Sequence, residues 1–314
     1  MPLAIFAIIA IVFGIATGGS IFSPFNIKSL FNQSFSTLIA GLGMMFVAAM
    51  GGTDITHGSL VALATTFGFL CAEQTGAWAF IPVTILIGAL SGLLLGIVNA
   101  KFKVPSFMGS LSLLIAYRAM VNLLLNSRTY SFYKELEIFD SFAFNLIMVI
   151  VLTVIIAYIF HFTRFGLYVR AIGENENAIT FTGVNVEKIK ILAFVLSGTM
   201  AAVAGIFMSA RVGGTNNTMG SGFEMKVMMA LFIGGIPVEG GMGTKIHKLL
   251  IGVPTINLLE NGLTLVLSNI QSLNSVSGPV TQLIRGLVLI AAIWLTGFVT
   301  QKFRYGFKTT KAAG

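Results

Sequence analysis

The sequence predicts an all-α membrane protein of about ten transmembrane helices with an inverted internal repeat. Three observations lead there: an apolar composition, a succession of apolar stretches long enough to cross a bilayer, and one glycine-rich element that occurs twice. Of 314 residues, 56% are hydrophobic and only 10% charged, against roughly 25% charged in an ordinary globular domain. So little polar surface cannot coat a water-soluble particle, which excludes a soluble enzyme, a disordered chain and a disulfide scaffold. The single cysteine, Cys71, forms no intrachain disulfide, and the 35 glycines suit helices packed at close range. The net charge of +8 reads as cytoplasmic loops rather than a nucleic-acid footprint.

A bilayer-spanning helix needs about 20 apolar residues. By that measure the spans run near 3–19, 35–51, 59–73, 80–99, 106–125, 143–161, 191–210, 223–239, 248–266 and 281–300. The first has the look of a signal peptide or a retained helix, and is expected to be retained. Residues Phe22–Gln33 read as an amphipathic helix lying in the outer interface. Lys101 and Lys103, then Arg164, Arg170, Lys188 and Lys190, then Lys302, Arg304, Lys308 and Lys311 all follow even-numbered spans. That bias sets them, and both termini, in the cytoplasm. The whole chain, 1–314, is expected to form one transmembrane domain.

Residues 51–59, GGTDITHGS, match 213–221, GGTNNTMGS, at six of nine positions and an offset of 162. The same offset relates Thr37 to Thr199, Gly43 to Gly205 and Asn99 to Asn261. The repeat halves run about 35–126 and 197–300. The second copy begins five spans after the first, and an odd displacement inverts its topology. Inverted repeats mark transporters, with the solute path at the interface of the halves. Symmetry of this kind favours a transporter over an intramembrane enzyme.

Charges at membrane depth are costly and ask for a reason. Asp54 and His57 sit in the first glycine element, with Thr53 and Thr56. They read either as a gate or pathway element, or as a turn in which Asp54 caps the third span. No second histidine lies at ligand spacing from His57, so no metal is expected. Arg118, one turn from Asn122, reads as a structural salt-bridge charge or a cap on the carbonyls of a broken helix, ahead of a substrate contact. Arg285 snorkels near the outer end of the tenth span. Glu224 and Lys226 open the eighth span, outside, and read as solvated helix-entry groups. Glu260 sits mid-helix and is expected to be paired or water-facing, while Asn99 and Asn261 read first as interhelical hydrogen-bonding groups.

The longest polar stretch, 162–190, holds GENENAITFTG, a short helix bounded by Gly173 and Gly183, with start-type residues at Asn175, Glu176 and Asn177. It reads as interfacial filler or as a docking surface. GGIPVEGGMG (234–243) is glycine-rich but lacks the GxxxxGK[ST] spacing, and the chain has no GxSxG or HExxH. Energy for uphill transport would come from a partner or from an ion. An ion-coupled secondary transporter would use Asp54 or Glu260; a membrane scaffold or receptor would move nothing.

Five stretches carry a family likeness: GGTDITHGSLVAL, GIVNAKFKVPSFMGSLSLLIAYR, TRFGLYVRAIGENENAITFTGVNVEKIKILAFVLSGTMAAVAGI, IGGIPVEGGMGT and QLIRGLVLI. In this order they resemble the permease subunits of bacterial ABC importers of the ribose/xylose/galactoside type, in the branched-chain amino acid permease superfamily. The likeness covers about 35–295. It departs at Gly52-Thr53, at His57, at KIHKLLIG after GGMGT, and at Glu260.

The resemblance implies a type II-like permease in the bacterial inner membrane. It would work as a homodimer or with a paralogue, with two cytoplasmic ATP-binding subunits and an extracytoplasmic solute-binding protein. It implies that residues 173–184, with Gly173, Glu174, Asn175, Asn177, Ala178, Gly183 and Val184, couple to the ATPase. ATP and magnesium would belong to that partner, and this chain would bind no cofactor. The expected solute is a monosaccharide, with a nucleoside or branched-chain amino acid as alternatives. Thr53, Thr56, Asn216 and Asn217 are the expected sugar-facing groups.

Overall fold

In the computed structural model, residues 2–126, 128–269, 280, 282–284 and 286–291 are described. Among them are ten α-helices: α1 (Pro2–Ala16), α2 (Pro24–Ala49), α3 (His57–Thr75), α4 (Phe80–Ala100), α5 (Ser106–Leu125), α6 (Phe142–Phe162), α7 (Arg164–Thr180), α8 (Val186–Val212), α9 (Phe223–Ile233) and α10 (Ile246–Asn269). Six helical stretches, those of α2, α4, α5, α6, α8 and α10, are long and apolar enough to cross a bilayer. The chain is therefore a multi-pass, all-α membrane protein. Residues 282–284 and 286–291 are helical and belong to the expected tenth span. The rest of that span, with Arg285, lies outside the described residues.

Two boundaries differ from the sequence expectation. The interfacial helix Phe22–Gln33 does not exist separately. Pro24 at the first turn and the Ser23 hydroxyl, accepting from the Asn26 N–H at 3.4 Å, start a single helix that runs to Ala49. Its 26 residues reach about 39 Å. At the end of the expected interfacial stretch the polar groups face a neighbour: Gln33 Nε2 donates to Asn261 Oδ1 (3.3 Å), and Asn257 Nδ2 donates to the adjoining Ser34 hydroxyl (3.0 Å). The eighth span, expected to reach 239, ends at Ile233. Gly234 and Gly235 stop it, with Gly235 at φ 85° and its N–H on the Phe232 carbonyl, and Pro237 prevents resumption.

Helices α2, α3 and α8 form the interior. α3 is buried along most of its length, and its Thr65 and Thr66 hydroxyls are satisfied by the Val61 and Ala62 carbonyls at 2.8 and 2.7 Å. α4 and α8 cross at backbone distance. Gly88, Gly92 and Gly96 on α4 face Gly198, Phe194 and Ile191 on α8, and a Cβ at Gly92 would strike the Phe194 carbonyl. This is the small-xxx-small device of membrane helices. The outer faces of α4, α5 and α6 present Leu86, Ile115, Leu123, Ile147 and Val154, as lipid contact requires.

Strands β1 (Tyr130–Ser131) and β2 (Gly214–Thr215) pair antiparallel, Tyr130 with Thr215 and Ser131 with Gly214. The Phe132 N–H adds a bond to the Gly213 carbonyl at 3.0 Å. The loop between α5 and α6 is thereby fixed to the segment after α8. Phe69, Phe80, Phe132, Tyr133 and buried Leu136 pack beneath it.

Candidate translocation core and coupling segment

The first glycine element interrupts the chain between α2 and α3. Gly51, at φ 74°, turns it away from α2, and the Thr53 N–H is held by the Ser106 hydroxyl of α5 at 3.0 Å. Asp54 is buried and accepts three hydrogen bonds. Two come from Thr56, its N–H at 3.1 Å and its hydroxyl at 2.6 Å, and one from the Ser197 hydroxyl of α8 at 2.8 Å. His57, also buried, sets Nδ1 at 3.0 Å from the Asp54 backbone carbonyl and Nε2 at 3.4 Å from Ser197. The carbonyl is an obligate acceptor, which fixes a proton on Nδ1. Three donors, with His57 Nδ1 3.7 Å from Asp54 Oδ2, make the buried carboxylate tolerable.

The second element follows α8 in the same manner. Gly213, at φ 79°, ends the helix. Asn216 Oδ1 accepts from the Thr218 N–H (3.0 Å) and hydroxyl (2.9 Å), the same turn that Asp54 and Thr56 make 162 residues earlier. Met219, at the position corresponding to His57, accepts from the Thr215 hydroxyl through its sulfur at 3.2 Å. The two elements meet. A Cβ at Gly58 would fall on the Gly220 carbonyl and the Glu224 carboxylate, and one at Gly220 would fall on the Gly58 carbonyl. Arg118 of α5 donates from Nη1 to the Met219 carbonyl at 2.8 Å and the Asn217 carbonyl at 3.2 Å. These are backbone acceptors that no helix satisfies. Asn217 Oδ1 is buried without a hydrogen-bond partner.

Beside the second element lies a cavity of about 230 Å³ between α2, α8, α9 and α10. Gln33, Thr37, Arg211, Ser221, Lys226 and Glu260 are among its walls. Glu260 is paired, as its depth demands: Lys226 Nζ stands 2.7 Å from its Oε2, both side chains being largely buried. Asn261 takes the Gln33 amide, and Asn99 donates to the Val104 carbonyl at 2.9 Å, closing the turn before α5. Thr56 and Asn216 thus spend polar atoms on their own turns, and Thr53 gives its backbone N–H to α5.

The segment between α6 and α8 is a helix from Arg164, not one that begins at Gly173. Thr163 caps it, and it breaks at Asn175 (φ −163°, ψ 99°). Asn175 Oδ1 then accepts from the Ala178 N–H at 3.1 Å, starting a second short arm through Thr180. Gly173 is therefore inside the first arm, while Gly183, at φ 80°, does end the segment. Asn177 and Ala178 are exposed, Val184 is half-buried, and Phe181 is 91% exposed. Glu176 is tied to Lys190 at 2.7 Å. Glu174 Oε1 accepts from the Met242 N–H at 2.8 Å.

Sequence reasoning missed Ser197, Ser106, Gln33 and Arg211, because a lone serine in an apolar helix, or a polar residue near a span end, carries no spacing signal. It also left Lys226 as a solvated helix start. Among the described residues no group of His, Cys, Asp and Glu is disposed to hold a metal ion.

An interior of interrupted helices, with its polar backbone converging between long apolar helices, fits a membrane permease. The chain belongs to the family described as branched-chain amino acid transport system / permease component, which it matches over residues 26–293. It is 30% identical over 307 residues to the ribose import permease protein RbsC of Escherichia coli K12, covering 93% of this chain and 91% of that one. It is 29% identical over 292 residues to RbsC of Haemophilus influenzae (90% and 88% covered). It is 27% identical over 361 residues to the xylose transport system permease protein XylH of the same organism (92% and 93% covered). No solved structure matches. As a permease component, the chain is a transport subunit and not an enzyme.

Proposed function

We propose that this chain is the membrane-spanning subunit of an ATP-driven importer that carries a monosaccharide of the ribose or xylose class into the cell. The observation that carries the reading is the meeting of two like-bonded interrupted segments, 51–59 and 213–221, at Gly58 and Gly220. Such a meeting is what an inverted repeat produces at membrane depth. Family membership supports partners that hydrolyse ATP and deliver solute, and the names of the relatives support a sugar.

The finer features belong to the same proposal. The chain makes ten crossings as one transmembrane domain, with both termini cytoplasmic. It pairs with a second copy or a paralogue, and with two ATP-binding subunits that hold the ATP and magnesium; it carries no cofactor itself. Residues 173–184 dock on the ATPase, a role that the exposure of Phe181 supports. Thr53, Asp54, Thr56, His57, Asn99, Asn216, Asn217, Glu260 and Asn261 flank the pathway, and Arg118 is structural. Ion coupling through Asp54 or Glu260 is disfavoured, because the first carboxylate is held by three hydrogen bonds and the second by Lys226.

Affinity purification from mild detergent tests the reading. The expected result is a co-purifying Walker-motif ATPase, lost when residues 173–183 are replaced by an unrelated linker. Recovery of the chain alone, with sugar uptake intact in proteoliposomes without ATP, would overturn it.

A further inference from the structure

The glycine-rich stretch 234–243 is not a phosphate cradle, yet it has a partner. Its Gly241 N–H donates to the Ala49 carbonyl at the end of α2, at 2.8 Å. Gly240, at φ 76°, packs on the Ala48 and Ala49 carbonyls, and Gly51 packs on the Glu239 carbonyl. The third strand of this knot is α7. Gly173 sits so close that a Cβ there would strike both the Ala49 carbonyl and the Gly241 nitrogen. Next to it, Glu174 Oε1 lies against Gly241 and takes the Met242 N–H at 2.8 Å.

Three chain segments thus meet backbone to backbone at Ala49, Gly173 and Gly241, and the Glu174 carboxylate adds a side-chain bond beside them. Two leave the knot toward the centre of the molecule. From Gly51 the chain runs three residues to Asp54, which grips α8 through Ser197. From Gly235 the chain runs back into α9, whose Glu224 carboxylate lies over Gly58. A push on α7 therefore has two short routes to the place where the interrupted segments meet. An isolated exposed hydrogen bond would slip under such a push; interlocked backbones would not.

We propose that the 239–242 loop is the receiver of the coupling segment, and that Glu174 is the positioning residue that keeps α7, the end of α2 and this loop moving as one body during transport. The proposal rests on the importer reading above.

The test uses the full complex, with ATPase and binding protein, in proteoliposomes, and takes labelled D-ribose and D-xylose as probes. Glu174→Ala is expected to lower the sugar carried per ATP hydrolysed by about tenfold, as loss of alignment does elsewhere. Glu174→Gln, which retains the accepting oxygen, is expected to restore the ratio. In a Cys71→Ser background, Glu174→Cys with Met242→Cys is joined by a short reversible thiol cross-linker. Before cross-linking this pair lacks the carboxylate and is expected to share the lowered ratio of Glu174→Ala; if the three segments move together, the cross-link leaves uptake within about twofold of the unlinked variant or raises it. Uptake abolished by the cross-link and recovered on reduction would overturn the proposal. So would a sugar-to-ATP ratio unchanged in Glu174→Ala, or loss of the ATPase itself from that variant. Failure of the importer reading looks different: the unaltered complex would then show no ATP-dependent uptake at all.

Discussion

Gly58 and Gly220 touch through their backbones, each lying where the other's side chain would be. Gly220 is further fixed by its φ of 69°, while Gly58 is a helical residue at the start of α3. Gly58→Ala therefore adds a methyl group where the Gly220 carbonyl and Glu224 carboxylate stand. We expect about 1–3 kcal/mol of destabilisation and sugar uptake reduced by about tenfold or more. Thermal unfolding in detergent and uptake in vesicles read the two effects. A variant with wild-type stability and uptake would remove the close contact from the account.

Ser197 supplies the interhelical donor to Asp54, at 2.8 Å. Ser197→Ala leaves a buried carboxylate oxygen without that bond, which costs about 1–3 kcal/mol. The Ser197→Ala, Asp54→Ala pair should cost less than the sum of the single changes, since the bond the two groups share is lost only once. A double-mutant cycle by thermal or denaturant unfolding gives the coupling, and strict additivity would count against the bond.

Lys226 and Glu260 form a buried ion pair at 2.7 Å. Lys226→Met takes the ion-pair partner from a buried carboxylate and is expected to destabilise by about 3–5 kcal/mol, whereas Lys226→Met with Glu260→Met should recover much of the loss. The stability of the unaltered protein should also change little between low and high salt, because buried pairs are weakly screened. Equal stability of the single and double variants would contradict the pair.

Asn216 can be exchanged for its counterpart in the first element. Asn216→Asp keeps an oxygen for the Thr218 N–H and hydroxyl and should retain expression and uptake. Asn216→Ala loses the turn and should destabilise by about 1 kcal/mol. Parallel uptake and unfolding measurements separate them; equivalence of the two variants would show that the turn is dispensable.

The sequence made the helices legible wherever composition decides them. α4, α5, α6 and α8 are apolar over at least the length that a bilayer demands, and their positions follow from that alone. Asn175 was legible as a helix start because a short amide side chain three residues before Ala178 has one good use. The helix α2 was misread at its beginning because hydropathy cannot tell a polar residue facing lipid headgroups from one facing Asn257 or Asn261 across a helix interface. The end of α9 was misread for a related reason: apolar character continues through Ile236 and Val238, but Gly234, Gly235 and Pro237 decide the backbone.

The candidate site was legible in part. The glycine elements announced themselves by recurrence, and Asp54, His57, Arg118 and Glu260 by their cost at membrane depth. Their partners did not. Ser197, Lys226 and the Met219 and Asn217 carbonyls belong to segments far along the chain, and only the packing of α3, α8 and α9 brings them together. Gly173 looked like helix punctuation and Gly241 like one more residue of a glycine-rich stretch, yet Gly173 is needed for a close approach of backbones that no local pattern encodes.

The pairing of Tyr130 with Thr215 carries one more consequence. Thr215 also shares a hydrogen bond with Thr65 of α3, at 3.3 Å. The loop between α5 and α6 is thus a tether with a very short rope: it cannot be lifted without either unzipping two residues of strand or tugging on the innermost helix. So brief a ladder is a weak fastening, and weakness here is informative. The amide protons of Phe132 and of the paired strand residues should be the earliest in that region to trade with solvent, giving an external gauge of how often the interior lets go.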